Sequence, residues 1–197
     1  KEAYLAWGGK DISGNASPLD AALITDMNPN RLAFMKADDI VVEYSRDGGA
    51  TWLDYGLSNA DKQALVTTSK GIYIGKRDLD NGTVTTDWKV RVTLTARHGS
   101  LYFSAKKAAI YLGTNGASGT NLTVEYANCG SDNTFKTYKS NIPVSGWSGW
   151  NIIQFAASFG GGDHQTSNWR KIRFTFGITG LSSTYANNFI ISKLYMY

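Results

Sequence analysis

The chain carries one cysteine, Cys129, so no internal disulfide can form and its stability must come from a hydrophobic core. Only His98 and His164 represent histidine, and no His or Cys spacing of a metal site occurs. Prolines number three, long runs of helix formers are missing, and no apolar run reaches the length of a membrane-spanning helix. Charge is sparse and mixed: 20 basic and 16 acidic residues leave a formal +4, with no block of like sign. A nucleic-acid binder needs a concentrated basic face, so neither nucleic acid nor membrane is expected as a partner.

Catalytic constellations are missing as well. Glycoside hydrolysis usually needs two carboxylates held about 5–9.5 Å apart. The acids here fall mostly in turn contexts, as at Asp38, Asp39, Asp47, Asp78, Asp80 and Asp163, and only Glu43 and Glu125 lie centrally on predicted strands. Nothing has the strand-turn-helix pattern of a nucleophile elbow, and His98 reads as a hairpin-loop residue. The expectation is a non-enzyme. Scattered turn carboxylates and carbonyls can hold a structural Ca²⁺ without leaving a sequence trace, and no other cofactor is expected.

What the chain has in abundance is the material of short strands and turns: 21 Gly, 11 Tyr, 8 Phe and 6 Trp in 197 residues, with many Ser, Thr and Asn. Apolar and polar residues alternate through Trp88 to Thr95, Leu122 to Tyr126 and Ile172 to Ile178. Period-2 segments of this kind bury one face and wet the other. Further strands are expected at Arg31 to Lys36, Asp39 to Ser45, Thr51 to Tyr55, Gly71 to Lys76 and Ile152 to Ala157. Helix starts are marked by Ser17-Pro18-Leu19-Asp20 and by Ser58-Asn59-Ala60-Asp61, the latter running through Val66. No internal repeat or low-complexity linker interrupts 1–197.

These features predict an all-β, antiparallel two-sheet β-sandwich, jelly-roll-like, with one or two short helices, as a single domain. Val90, Val92, Leu94, Phe174 and Phe176 should share its core. Lys89, Arg91, Lys171 and Arg173 should face outward and, if their strands are neighbours, form a basic stripe suited to acidic polymers. The chain starts at Lys1 and stops within an apolar run at Tyr197, which leads to the expectation that it is a piece of a longer polypeptide.

Loop aromatics supply the candidate binding residues. Gly146-Trp147-Ser148-Gly149-Trp150-Asn151 sets Trp147 and Trp150 in a glycine-flanked polar segment. Trp169 follows a segment with Asp163, His164, Gln165 and Asn168. Flat rings stack on the apolar faces of sugars while Asn, Gln and Asp pair with hydroxyls.

Ser45-Arg46-Asp47-Gly48-Gly49-Ala50-Thr51-Trp52, the pattern S-x-D-x-G-x-T-W, resembles the Asp-box, a β-hairpin motif of sialidase propellers and many secreted β-proteins. As a single copy it implies a folding element, with Asp47 accepting hydrogen bonds from its own turn and Trp52 packing the return strand. Together with Ala6 to Gly14, Thr114 to Gly119, Ser145 to Asn151, Phe159 to Gly162 and Gln165 to Asn168, the chain resembles modules of tail and minor structural proteins from phages of gut Firmicutes. In strand rhythm it also resembles galactose-binding-type and carbohydrate-binding jelly rolls. The resemblance implies a virion or extracellular location beside other tail proteins. The loop aromatics point to bacterial surface carbohydrate as partner, and the weakness of a single ring–sugar contact suits display as a homo-oligomer. The expected function is non-catalytic adhesion, with a ligand-free virion spacer as the alternative and a polysaccharide-degrading enzyme behind both.

Overall fold

The computed structural model describes residues 32, 35–67, 72–75, 88–96, 107–115, 118–128, 134–143, 148–155, 169–179 and 188–196. In chain order, a 3-10 turn at Ala37–Asp39 leads into β1 (Ile40–Ser45) and β2 (Leu53–Asp54), followed by helix α1 (Asn59–Thr67). The strands β3 (Ile72–Gly75), β4 (Trp88–Thr95), β5 (Lys107–Asn115) and β6 (Ser118–Asn128) come next. The remainder are β7 (Lys136–Pro143), β8 (Ser148–Gln154), β9 (Trp169–Thr179) and β10 (Asn188–Met196).

They form two antiparallel sheets, one ordered β2-β1-β4-β9-β6-β7 and the other β3-β10-β5-β8. From β3 onward the chain changes sheet at every connection except the β6–β7 hairpin. That is the winding of an eight-stranded jelly roll, with the β1–β2 hairpin added beside β4. The predicted all-β sandwich is therefore the observed fold.

Alternation places the core. Along β4 the burial pattern repeats strictly, and Val90, Val92 and Leu94 are sealed from solvent, as are Phe174 and Phe176 on β9. The facing sheet contributes Ile110, Leu112, Ile153, Ile191, Leu194 and Met196 to the same cluster. Val92 and Phe174 are register partners, so the two central strands of the larger sheet meet through these inward side chains.

The helix arises where the Ser58 signal puts it: the Asp61 backbone N–H donates to Ser58 Oγ at 3.2 Å, and the Ser58 hydroxyl donates to Asp61 Oδ2 at 2.7 Å. Its Leu65 and Val66 are buried against β10 and β1, one strand from each sheet. Among the described residues no helix is long and apolar enough to cross a membrane.

One expected strand is not seen among the described residues. Of the segment Arg31 to Lys36, the described Leu32, Met35 and Lys36 are not extended ladder residues. The Asp39 carboxylate instead accepts from the Lys36 N–H at 2.9 Å and closes the 3-10 turn, leaving Leu32 and Met35 to plug the core. The Ser17 helix start, Asp80, His98 and Cys129 lie outside the described residues.

Candidate functional site

The S-x-D-x-G-x-T-W octet builds the turn between β1 and β2. Gly48 and Gly49 adopt φ of 71° and 97°, a region that L side chains rarely enter. Asp47 lies at the centre: its Oδ1 accepts from the Thr51 N–H at 2.9 Å and from the Ser45 hydroxyl at 2.7 Å, and its Oδ2 accepts from the Thr51 hydroxyl at 2.6 Å. Those bonds, the Thr51 hydroxyl foremost, hold the Asp47 carboxyl well below the usual carboxylate range. Gly49 N–H donates to Ser45 Oγ at 2.8 Å, and Lys89 Nζ reaches from β4 to the Gly48 carbonyl at 2.7 Å. Asp47 is thus engaged within its own turn.

Trp52 does not enter the core. It is half-buried on the outer face of the larger sheet, where the Arg91 guanidinium lies 4.0 Å from its ring centroid. Arg91 Nε donates to Glu43 Oε2 at 2.7 Å, across the β1–β4 register. A second unit repeats this design on the other flank. Arg173 on β9 forks onto Glu125 of β6, Nε to Oε2 at 2.7 Å and Nη2 to Oε1 at 3.0 Å, while Phe135 lies under its guanidinium at 3.8 Å. The four side chains retain 16–23% exposure, so each arginine is fixed by a carboxylate at its edge and a ring at its face.

Between the two units runs the β4–β9 ladder. Outward positions on β4 are Lys89, Arg91, Thr93 and Thr95, and on β9 they are Lys171, Arg173, Thr175 and Gly177. Because the strands are antiparallel, the two Lys-Arg-Thr series are related by an approximate two-fold axis between Arg91 and Arg173. The expected basic residues are therefore neighbours, but both arginines already carry a glutamate. The sequence marks the members of these pairs, though not which member meets which. Each glutamate stands in a Val-Glu-Tyr triplet (Val42-Glu43-Tyr44 and Val124-Glu125-Tyr126), and each arginine is flanked by apolar residues in Val90-Arg91-Val92 and Ile172-Arg173-Phe174.

The loop-aromatic surface fares differently. Trp169 is completely buried, stacked on Tyr126 with ring centroids 4.8 Å apart and flanked edge-on by Tyr138 and Phe155. Both ring faces are withdrawn from solvent, so the expectation of a sugar-stacking Trp169 is corrected to a core role. Trp150 is a strand residue rather than a loop residue, the register partner of Tyr111 in the β5–β8 ladder. Trp147, Asp163, His164, Gln165 and Asn168 lie outside the described residues. Among the described residues no group of three or more His, Cys, Asp and Glu is placed to hold a metal ion.

No family model matches the chain, and no curated protein sequence matches it either. Solved structures with related strand arrangements include a mutant of chitosan-binding module 1 from a chitosanase/glucanase of Paenibacillus sp. IK-5. It is 12% identical, with 85% of this chain and 98% of that one covered and a TM-score of 0.40. CBM32-1 from a family 31 glycoside hydrolase of Clostridium perfringens is 12% identical over 82% and 96% of the two chains, at 0.37. A family 11 carbohydrate-binding module from Clostridium thermocellum, in complex with a mixed-linked tetrasaccharide, is 12% identical over 80% and 82%, at 0.35. At such identities and scores these likenesses carry no inference about what this chain binds.

Proposed function

We propose that this chain is a non-catalytic module that binds bacterial surface glycan, displayed on a phage tail. The observation that carries the reading is the outer face of the larger sheet. There two Arg–Glu pairs, each backed by an aromatic ring, alternate with threonines across the two central strands. Fixed guanidinium N–H groups, carboxylate oxygens and hydroxyls are the groups that pair with sugar hydroxyls, and their prior immobilisation lowers the entropy cost of binding. Glu43 and Glu125 sit three strand spacings apart, about 14 Å, and each is held by an arginine, an arrangement suited to recognition rather than to paired acid–base work. The virion setting rests on the resemblance of the glycine-rich segments to phage tail modules.

The test is binding of the purified chain to a glycan array and to purified Firmicutes wall polysaccharide. Retention on at least one glycan, without release of reducing ends, is the expected result. Absence of binding to every glycan and to whole cells would leave the spacer role.

A further inference from the structure

Resting on that glycan-binding reading, the order of charges across the sheet narrows the ligand. From β1 through β4 and β9 to β6 the outer face reads Glu43, Arg91, Arg173, Glu125: acid, base, base, acid. The two central strands present Lys89, Arg91, Lys171 and Arg173 outward and no carboxylate between them, and the only other side chains on this ladder's outer face are threonines. Arg91 faces Thr175 and Arg173 faces Thr93, which makes the two guanidinium groups diagonal neighbours, about 7–8 Å apart at the backbone. Like charges so placed repel one another. Their glutamates relieve this only from the outer sides, because Glu43 takes Nε of Arg91, and Glu125 takes Nε and Nη2 of Arg173. Among the described residues, both Nη groups of Arg91 and Nη1 of Arg173 keep donors that no carboxylate uses. Thr93, Thr123 and Thr175 stand beside them with hydroxyl donors.

We infer that the centre of this face is an oxyanion site, and that the glycan it takes carries a carboxylate or phosphate group, with neutral sugars to either side. The anion sits between the two guanidinium groups, where charge-assisted bonds from a pre-fixed fork are strongest. Flanking hydroxyls then meet Glu43 and Glu125, whose oxygens accept. The width of the four strands, about 14 Å, suits roughly three sugar units laid across them.

The experiment compares three immobilised probes: polygalacturonate for the carboxylate, a glycerol-phosphate teichoic acid for the phosphodiester, and dextran as a neutral polymer. Expected are retention on one of the acidic probes, weakening of that binding at least tenfold in Arg91→Gln and in Arg173→Gln, and progressive loss with added NaCl. Melting curves of both variants check folding. Should either variant be unfolded, Thr175→Val and the salt titration of the native chain carry the test. Binding to dextran that matches or exceeds the acidic probes, or tight acidic binding unchanged in the folded variants, overturns the oxyanion site and leaves the glycan-binding reading standing. No retention on any glycan overturns both.

Discussion

Trp169 lies flat on Tyr126, with ring planes 15° from parallel. This stack seals one end of the sandwich, with Phe155 and Tyr138 packed edge-on against the indole at 5.3 and 5.4 Å. Offset stacking and edge-to-face contacts are the arrangements that aromatic quadrupoles favour. The indole Nε1–H is buried without a partner among the described residues, a cost that the apolar contacts must offset.

Trp169→Ala should therefore cost about 3–5 kcal/mol of folding stability, through lost burial and the cavity left behind. Urea denaturation followed by circular dichroism measures it. Trp169→Phe should cost clearly less, since it keeps a ring in the stack and removes the unpaired N–H. A Trp169→Ala protein with unchanged stability would contradict the core assignment.

Why Trp169 reads as a loop residue is instructive. Burial on β9 follows the even positions from Ile172 to Ile178, and continuing that rhythm backward would turn position 169 outward. The ladder with β6 slips between Ala127 and Asn128, so Asn128 pairs with Trp169 and the phase reverses. A bulge of this kind leaves no mark in an alternation pattern. The strand expected from Ile152 starts earlier, at Ser148: Gly146, Ser148 and Gly149 look like a turn, yet Ser148 and Gly149 already pair with Gly113 and Leu112 of β5. Strands that alternate cleanly, β4 and β9 above all, were legible together with their core residues. The cross-strand pairing of Glu43 with Arg91 and Glu125 with Arg173 was not, because it depends on which strands become neighbours.

Phe174→Ala tests the central ladder. The ring is buried opposite Val92, and truncation should lower stability by about 3–5 kcal/mol. The sheet signature in the far-ultraviolet spectrum should persist below the new, lower melting temperature. A change near zero would mean that the two sheets do not close over this position.

The hairpin turn gives a backbone test. Gly49 has φ of 97°, and a Cβ there would come within 3.3 Å of Trp52, whereas Gly56, at 78°, has open space around it. Gly49→Ala should cost about 1–2 kcal/mol from the left-handed backbone alone, with the crowding of Trp52 added. Gly56→Ala should show the backbone cost and no more. Thermal melts of the two variants side by side decide it, and equal losses would mean that Trp52 yields freely.

Acid titration addresses Asp47. Its folded-state pKa is depressed by the Thr51 and Ser45 bonds, so it contributes stability in full above the unfolded value of about 3.9 and loses it as pH falls from there toward the depressed value. Asp47→Asn should therefore melt slightly lower than the native chain at pH 7, with the gap shrinking below pH 4. The carboxylate is exposed to solvent, so the effect is modest and screened by salt. A gap that is constant with pH would assign the loss to geometry rather than to charge.

Double-mutant cycles on the two arginine pairs give the last prediction. Arg173 meets Glu125 through two bonds, Arg91 meets Glu43 through one, and the side chains are similarly shielded, at 16–23% exposure. Partial exposure screens both pairs, so the coupling between Glu125→Gln and Arg173→Gln should reach about 1 kcal/mol and that between Glu43→Gln and Arg91→Gln about half as much. The geometry sets this order, since a fork fixes the guanidinium plane and a single Nε contact leaves it one axis of freedom. Measured by urea denaturation in the ligand-free chain, the cycles separate structural pairing from recognition. If the two couplings come out equal, the second hydrogen bond of the fork adds no stability, and solvent has replaced it at no cost.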